Sequence, residues 1–434
     1  MLKREENELI TRVGPGTPMG GLMREYWVPA LLSAELPAPD SDPVRVLLLG
    51  EQLIAFRDTN GKVGLIQNNC PHRGASLFFG RNEEGGLRCV YHGWKFAVDG
   101  TCVDMPNEPA ESDFKQKVKA VAYPCQERGG IVWTYMGPRH TPPPLPNLEA
   151  NMLEGATATA FQLESNWLQI LEGDIDTTHV GFLHYGGLRP EDQPPGTFSE
   201  YQLRQKPAHF EVIDTPGGVA YGARRPGPPG EHYWRIAQFA MPFYTFTPPG
   251  VLGVKKNNGA RVPMDDYHTM TYFMNAGNRQ GAGVVNAVFP ERIPDSTDWY
   301  GRNRFKPSLA NDFQVDREMQ RTNTGGGGFT GIASLLMQDA AMTSSMGPIF
   351  DRSTEHLGSA DAMVIQVRRR LLNAVKAYQE RGITPSGVDN PEVYQVRSGG
   401  VFLPTGADWV QATHELRKAF VEHPELDPTL NGPL

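Results

Sequence analysis

The chain is poor in cysteine, with only Cys70, Cys89, Cys102 and Cys125 in 434 residues. Four are too few for a disulfide scaffold and suit a reducing compartment. No apolar run approaches the ~18 residues that a membrane span needs. The opening stretch, MLKREENELITRVGPG, is charged and lacks both an apolar h-region and a small-residue cleavage site. Neither membrane insertion nor a signal peptide is expected, and the chain reads as cytoplasmic. A basic stripe is also missing. The formal net charge is -8, and the densest basic run, Arg368 to Arg370, reads as a solvated helix face, so no nucleic-acid partner is expected. GGGG at Gly325 to Gly328 follows no strand and lacks the Lys-Ser/Thr of a phosphate loop. Like GPGTPMGG at Gly14, it reads as a turn or mobile loop.

What is present divides in two. From Val44 to Gly137 short extended segments alternate with turns, and Asn60-Gly61 and Asp99-Gly100 are hairpin signals. The proline cluster PRHTPPPLPNLEAN, Pro138 to Asn151, reads as a stiff extended linker. Beyond it, Leu168, Leu171 and Ile175 recur at helical spacing, strand-like segments surround RPGPPG, and one long helix is expected near the end. Ser359 is its N-cap and Gly382 its stop. The fold class is α+β: a helical and extended segment over 1–40 packed on the larger domain, a small all-β domain over 41–150, and an antiparallel sheet with helices over 151–434.

CPHRGASLFFGRNEEGGLRCVYHGW, Cys70 to Trp94, holds two hooks, Cys70-x-His72 and Cys89-x-x-His92, sixteen residues apart. A Cys2His2 set also binds zinc, but a zinc finger groups its cysteines and then its histidines, and the intervening glycines here show no helical period. Mixed hooks suit a 2Fe-2S cluster with both thiolates on one iron and both imidazoles on the other. Downstream, EGDIDTTHVGFLH carries Asp176, His179 and His184. Asp176 and His179 share a face of an ideal helix, whereas His179 and His184 are about 140° apart. The two imidazoles reach one metal only if the helix ends or loosens between them, for which Gly181 is placed.

The hooks resemble the Rieske cluster motif, and the two motifs in this order resemble the α subunit of Rieske non-haem iron oxygenases, in the phthalate-dioxygenase-like branch. The likeness spans GPGTPMGGLMREYWVPALLSAELP, the hooks, NWLQILEGDIDTTHVGFLH, YWRIAQFAMPFYT and GPIFDRSTEHLGSADAMVIQVRRRLL. It implies a helix-grip-like catalytic domain, a 2Fe-2S cluster on Cys70, His72, Cys89 and His92, and mononuclear Fe(II) on His179 and His184, with Asp339 as third ligand. Asp351, Glu355 and Asp361 are competitors. Asp361 reads as a first-turn helix charge, Asp351 with Arg352 as a structural pair, and Asp266 with His268 as strand residues. Ala75 and Tyr91 replace the disulfide cysteines of respiratory Rieske proteins, which implies a potential at the low end.

The resemblance makes Asp176 a bridge between His179 and the cluster ligand His92 of a neighbouring subunit in a homotrimer or stacked trimers. Glu172 stands either in the bridge's surroundings or in solvent. It further implies a flavin and iron-sulfur reductase fed by NADH, O2 as co-substrate, and an aromatic acid as substrate in aromatic catabolism. Arg204, His209 and Arg235, with Lys206, Arg224 and Arg225, are the candidate carboxylate contacts, His209 standing where phthalate oxygenases carry an Arg. Dihydroxylation and monooxygenation or O-demethylation both stay open, and the rival from another class is a plain Rieske electron carrier.

Overall fold

A computed structural model describes residues 2–205, 208–248, 250–276, 288–323 and 328–432. Two helices open the chain, α1 (Arg4–Thr11) and α2 (Pro18–Arg24), followed by β1 (Trp27–Leu32). Next come β2 (Val44–Leu48), β3 (Glu51–Arg57), β4 (Val63–Gln67), β5 (Arg81–Glu83), β6 (Gly86–Arg88), β7 (Lys95–Phe96), β8 (Cys102–Asp104), β9 (Ala122–Tyr123), β10 (Cys125–Arg128) and β11 (Ile131–Tyr135). They form three small antiparallel sheets, ordered β2-β3-β4-β9, β5-β6-β7-β8 and β1-β11-β10.

The two hairpin signals operate as the residue types require. Asp58 Oδ1 accepts from the amides of Asn60 and Lys62, and Gly61 sits at φ +79. Gly100, at φ +82, is also constrained by space, since a Cβ there would lie 2.1 Å from the Ala120 carbonyl oxygen. Ile54, Phe56, Ile66, Leu77, Leu87 and Phe96 close a separate core that includes Cys70 and Cys89.

The proline cluster, expected as a stiff extended linker, is packed as a strap. Trp27 Nε1 donates to the Pro143 carbonyl at 2.6 Å, Leu148 is fully buried, and the strap ends in a short helix, α3 (Glu149–Met152). Glu149 meets Arg397 there in a buried ion pair, Nε to Oε2 2.7 Å and Nη2 to Oε1 2.6 Å. The 1–40 segment divides between partners: α1 and α2 pack toward the C-terminal helix, while β1 pairs along its length with β11.

The larger unit comprises β12 (Thr157–Leu163), α4 (Trp167–Ile175), α5 (Phe198–Arg204), β13 (His209–Asp214), β14 (Gly218–Pro226), β15 (Glu231–Ala240), β16 (Tyr244–Phe246), β17 (Asn257–Pro263), β18 (Thr269–Asn275), α6 (Arg317–Thr322), α7 (Leu335–Ser345), α8 (Ala362–Arg381) and β19 (Gly399–Pro404). Its antiparallel sheet runs β12-β18-β17-β16-β15-β14-β13, with β19 paired to β15. The twenty-residue α8 lays Met363, Val367, Leu371 and Val375 against the β13–β14 side of it.

Several local expectations are corrected. Asp361, not Ser359, is the N-cap of α8, because Ser359–Asp361 wind into a tighter turn closed by the Gly358 amide on Asp361 Oδ2; Gly382 at φ +61 ends the helix. Arg368 is buried on α8 rather than solvated. Asp266 and His268 lie in the turn between β17 and β18, not in a strand. Asp266 binds Arg12 and His268 binds Asp265. Of the GGGG run, Gly325 to Gly327 fall outside the described residues. Among the described residues no helix is long and apolar enough to cross a membrane.

Candidate metal centres

The two cysteine-histidine hooks share one backbone scheme. In the first, the Gly74 amide donates to the Cys70 carbonyl at 2.9 Å and the Cys70 amide to Ala75 at 2.8 Å. In the second, the Gly93 amide donates to Cys89 at 2.9 Å and the Cys89 amide to Trp94 at 2.8 Å. Gly74 and Gly93 each stand four residues after the cysteine at φ +76 and +80, a conformation that an L side chain resists. This glycine at the fourth place is a signal that the spacing of cysteine and histidine alone overlooks. Each hook thus turns its cysteine inward and its histidine toward the rim.

The donor set fits a 2Fe-2S cluster. Both thiols are buried, and burial, with Cys89 alongside, pushes the Cys70 thiol up to about 11 although the backbone of His72 and Arg73 hydrogen-bonds it in the opposite sense. A thiolate there calls for a metal. His72 Nδ1 is buried without any hydrogen-bond partner, and its ring lies 4.4 Å from that of His92 and stacks on Trp94 at 4.4 Å. Such an orphaned ring nitrogen suits a ligand atom. All four cysteines are free, and Ala75 and Tyr91 leave no disulfide across the hooks.

The second centre begins at the end of α4. Asn166 caps the helix through its side chain on the Leu168 amide, and the helix stops at Ile175, before the residues expected to ride on it. Asp176 is extended, at φ -85 and ψ 126, so Asp176 and His179 meet through a loop rather than along one helix face. The loosening expected at Gly181 takes the form of a wide π-type turn over Val180–His184, with the Tyr185 amide on the Val180 carbonyl at 3.0 Å. Because that turn holds an extra residue, His184 comes round beside His179.

Asp339 reaches the pair from α7. Its Oδ1 lies 3.3 Å from His184 Nε2 and 3.6 Å from His179 Nε2, and one ligand atom from each of the three lies within 4.8 Å of the others. Two imidazoles and one carboxylate on one side, with the opposite side open, is the donor set of non-haem Fe(II) oxygenases. Burial lowers the affinity of His179 for a proton, but Asp176 and Asp339 outweigh it and hold its pKa above the ordinary value. A divalent ion at Nε2 displaces that proton.

Each imidazole is held from behind. His179 Nδ1 lies 3.3 Å from Asp176 Oδ2, whose other oxygen accepts the amide and hydroxyl of Thr178, both at 2.6 Å. Burial would raise the Asp176 carboxyl, yet the His179 and Thr178 hydrogen bonds keep it below the usual range. His184 Nδ1 lies 2.8 Å from Gln338 Oε1, and Gln338 Nε2 donates to the Ile332 carbonyl at 2.8 Å. Sequence reading missed Gln338, although it is the neighbour of Asp339. Gln338→Leu should weaken iron retention by ~10–100-fold, read as mononuclear iron lost on dialysis while the absorption of the cluster stays unchanged.

The rival carboxylates are committed elsewhere. Glu172 belongs neither to solvent nor to the bridge. It is buried between Arg352 and Arg368, Oε2 to Arg352 Nη2 2.9 Å and Oε1 to Arg368 Nε 2.6 Å, and Arg368 also binds Glu355. Burial works against its charge, but the two arginines hold it below the usual carboxylate range. Asp351 pairs with Arg4 and Ser353 rather than with Arg352, and Asp361 closes the turn before α8.

A cavity of about 490 Å³ opens beside the triad, with His179 and Asp339 in its wall and mostly apolar lining from Phe161, Ile170, Phe273, Leu336 and Met342. None of the described candidate carboxylate contacts lines it. Arg204 binds Glu200 at 2.5 Å, His209 is exposed on β13 opposite Arg224, Arg224 faces Glu211 at 3.9 Å, and Arg225 Nε donates to Gln205. Arg235 is buried and donates to Thr177 Oγ1 at 2.7 Å, bracing the loop beneath Asp176. The cavity lies over β12, β17 and β18, whereas these residues sit on α5 and the β13–β15 half of the sheet. Lys206 falls outside the described residues.

Comparison with known proteins accords with this geometry. Residues 26–124 match the family model of the Rieske [2Fe-2S] domain, and residues 134–430 that of the LigXa C-terminal domain like family. The chain is 44% identical over 430 residues to the 3-chlorobenzoate-3,4-dioxygenase oxygenase subunit of Comamonas testosteroni, covering 95% of this chain and 98% of the relative. It is 41% identical over 401 residues to the phthalate 4,5-dioxygenase oxygenase subunit of Pseudomonas putida, 87% of each chain being covered. The solved structure of Pseudomonas putida CBB5 NdmA covers 89% of this chain and 98% of its own at TM-score 0.52 and 18% identity, a likeness of fold.

Proposed function

Because this chain belongs to the Rieske oxygenases with a LigXa-like C-terminal domain, we propose that it is the oxygenase component that hydroxylates an aromatic carboxylate with O2 and electrons from NADH, delivered by a flavin and iron-sulfur reductase. The observation that carries the reading is the open His179, His184 and Asp339 triad beside an apolar cavity, in one chain with the Cys70, His72, Cys89 and His92 hooks. When bound, the cluster supplies single electrons and the mononuclear iron activates O2.

The chain's own residues set the conditions. Asp176 and Gln338 fix the two imidazole rings and their tautomers, so that each Nε2 faces Asp339. The apolar wall excludes water and holds an aromatic ring flat against the open side of the triad. In the assembly we read here, a homotrimer, Asp176 receives the electron path from the cluster edge of a neighbouring subunit. Val90 and Tyr91 beside His92, and Phe182 beside His179, are exposed and supply apolar contact for such a joint. The division between the units falls in the strap before α3, β1 counting with the first. The setting is cytoplasmic catabolism of aromatic acids.

The test joins metal analysis to turnover. A loaded preparation should hold three iron atoms and two acid-labile sulfides per chain, against two irons for an electron carrier. With a surrogate reductase and 3-chlorobenzoate it should consume O2. A product heavier by two oxygens and two hydrogens marks dihydroxylation, and loss of a methyl group from a methoxybenzoate marks demethylation. Absence of O2 uptake with every aromatic acid tried would refute the reading.

A further inference from the structure

Among the described residues lining the cavity, the only arginines are Arg368 and Arg261. Arg368 is taken up by Glu172 and Glu355. Arg261, on β17, is different. It is 2% exposed, and its Nη2 binds Asp174 Oδ2 at 2.5 Å, but Nε and Nη1 are buried with no hydrogen-bond partner. Opposite it on β18, in direct register, stands Thr271, 1% exposed, whose hydroxyl is likewise buried without a partner. Both side chains line the same cavity as His179 and Asp339.

Unsatisfied donors of a buried guanidinium carry a large penalty unless something accepts from them. The surroundings hold the group in place rather than let it turn to solvent. Its Cζ stands 4.8 Å from the ring centre of Phe273, and Gly259 leaves the lane open, since a Cβ there would come within 2.9 Å of Nη1 and 3.0 Å of Nη2. Asp174 is an imperfect partner. Burial pushes its carboxyl above the usual range despite Arg261 and the Thr245 hydroxyl, which donates to it at 2.6 Å. The cavity wall is mostly apolar. Of its charged residues, Glu172, Glu355 and Arg368 are tied to one another, Asp361 to the Gly358 amide and Asp176 to His179 and Thr178. That leaves Arg261, among the described residues, as the cation with donors to spare, beside the Thr271 hydroxyl, His179 and Asp339.

We propose that Arg261 and Thr271 form the carboxylate anchor of the substrate pocket, and that this single anchor selects an aromatic monocarboxylate over a dicarboxylate. Arg261 donates to one carboxylate oxygen and Thr271 to the other, and the ring extends over Phe273 toward His179 and Asp339. A second carboxylate on the ring finds no free cation among the described lining residues and is left in apolar surroundings. The inference rests on the aromatic-acid reading above and adds to it the recognising residues and the number of acid groups.

The experiment is calorimetric titration of the iron-loaded enzyme with 3-chlorobenzoate, 3-chlorobenzamide and phthalate, paired with the absorption of the cluster as a check on folding. The wild type should bind the monoacid and reject the amide and the diacid. Arg261→Gln should raise the Kd of 3-chlorobenzoate by ~10–100-fold, the loss of a charged hydrogen bond, and abolish the preference for acid over amide. Thr271→Val should do so more weakly. Asp174→Asn removes the internal competitor and should tighten 3-chlorobenzoate, an outcome that a purely structural ion pair would not produce. Should Arg261→Gln fail to fold, the double variant Asp174→Asn/Arg261→Gln removes the pair without leaving a charge and carries the same test. Unchanged acid affinity and acid preference in the arginine variants overturn the anchor alone. A wild type that binds no aromatic acid overturns the anchor together with the reading beneath it.

Discussion

Replacing Asp176 with Asn should cut product formation by ~100-fold or more while leaving the iron and sulfide content and the absorption of the cluster unchanged. The substitution keeps the volume and the hydrogen bonds that Oδ1 accepts from Thr178, so the loop holds its shape. What it removes is the anionic partner of His179 Nδ1, 3.3 Å away, and with it the acceptor through which the neighbouring cluster is to be reached. Stopped-flow mixing of the reduced enzyme with 3-chlorobenzoate and O2 reads the effect: cluster oxidation should slow along with turnover. If turnover stays near normal, the bridge is refuted. Loss of iron instead would assign Asp176 to metal retention.

The second large effect concerns stability. Glu149→Leu should destabilise the chain by ~3–5 kcal/mol, seen as a lower urea midpoint. Arg397 would stay buried with two carbonyls, Gly253 and Val421, both 2.6 Å from Nη1, but without its counter-charge, and the Phe420 amide would lose Glu149 Oε1. Glu149→Leu/Arg397→Met should recover much of the loss, because the cost of the single variant is an uncompensated charge and not the worth of the pair. Equal loss in the single and double variants would contradict that account.

The hooks are legible in the sequence because they are local. The hairpins at Asn60-Gly61 and Asp99-Gly100 are legible for the same reason. The spacing of His179 and His184, by contrast, places them about 140° apart on an ideal helix, and only the resemblance made them a pair. Asp339 is far from the histidines along the chain, and only the resemblance brought it forward. Gln338 needed one further step, the question of what steadies a ligand whose neighbour is an amide. That none of the described candidate carboxylate contacts lines the cavity has a different cause. Arg204, Arg235 and Arg261 are alike as residues in strand or helix segments, and which half of the sheet faces the cavity depends on strand order, β12-β18-β17, which no local pattern encodes. Burial was equally hidden. Arg368 looks like a surface charge in RRR, and Glu172 like a solvated helix acid, until Arg352 arrives from far downstream to join them.

The π-type turn over Val180–His184 carries one residue beyond the helical count. Wound as ordinary α-helix with no residue lost, the same segment would carry the second imidazole about 140° round from the first, so the meeting of His179 and His184 rests on that single wider turn. The sheets, helices and strap would have no reason to change, and Asp339 would face one imidazole where the wider turn gives it two.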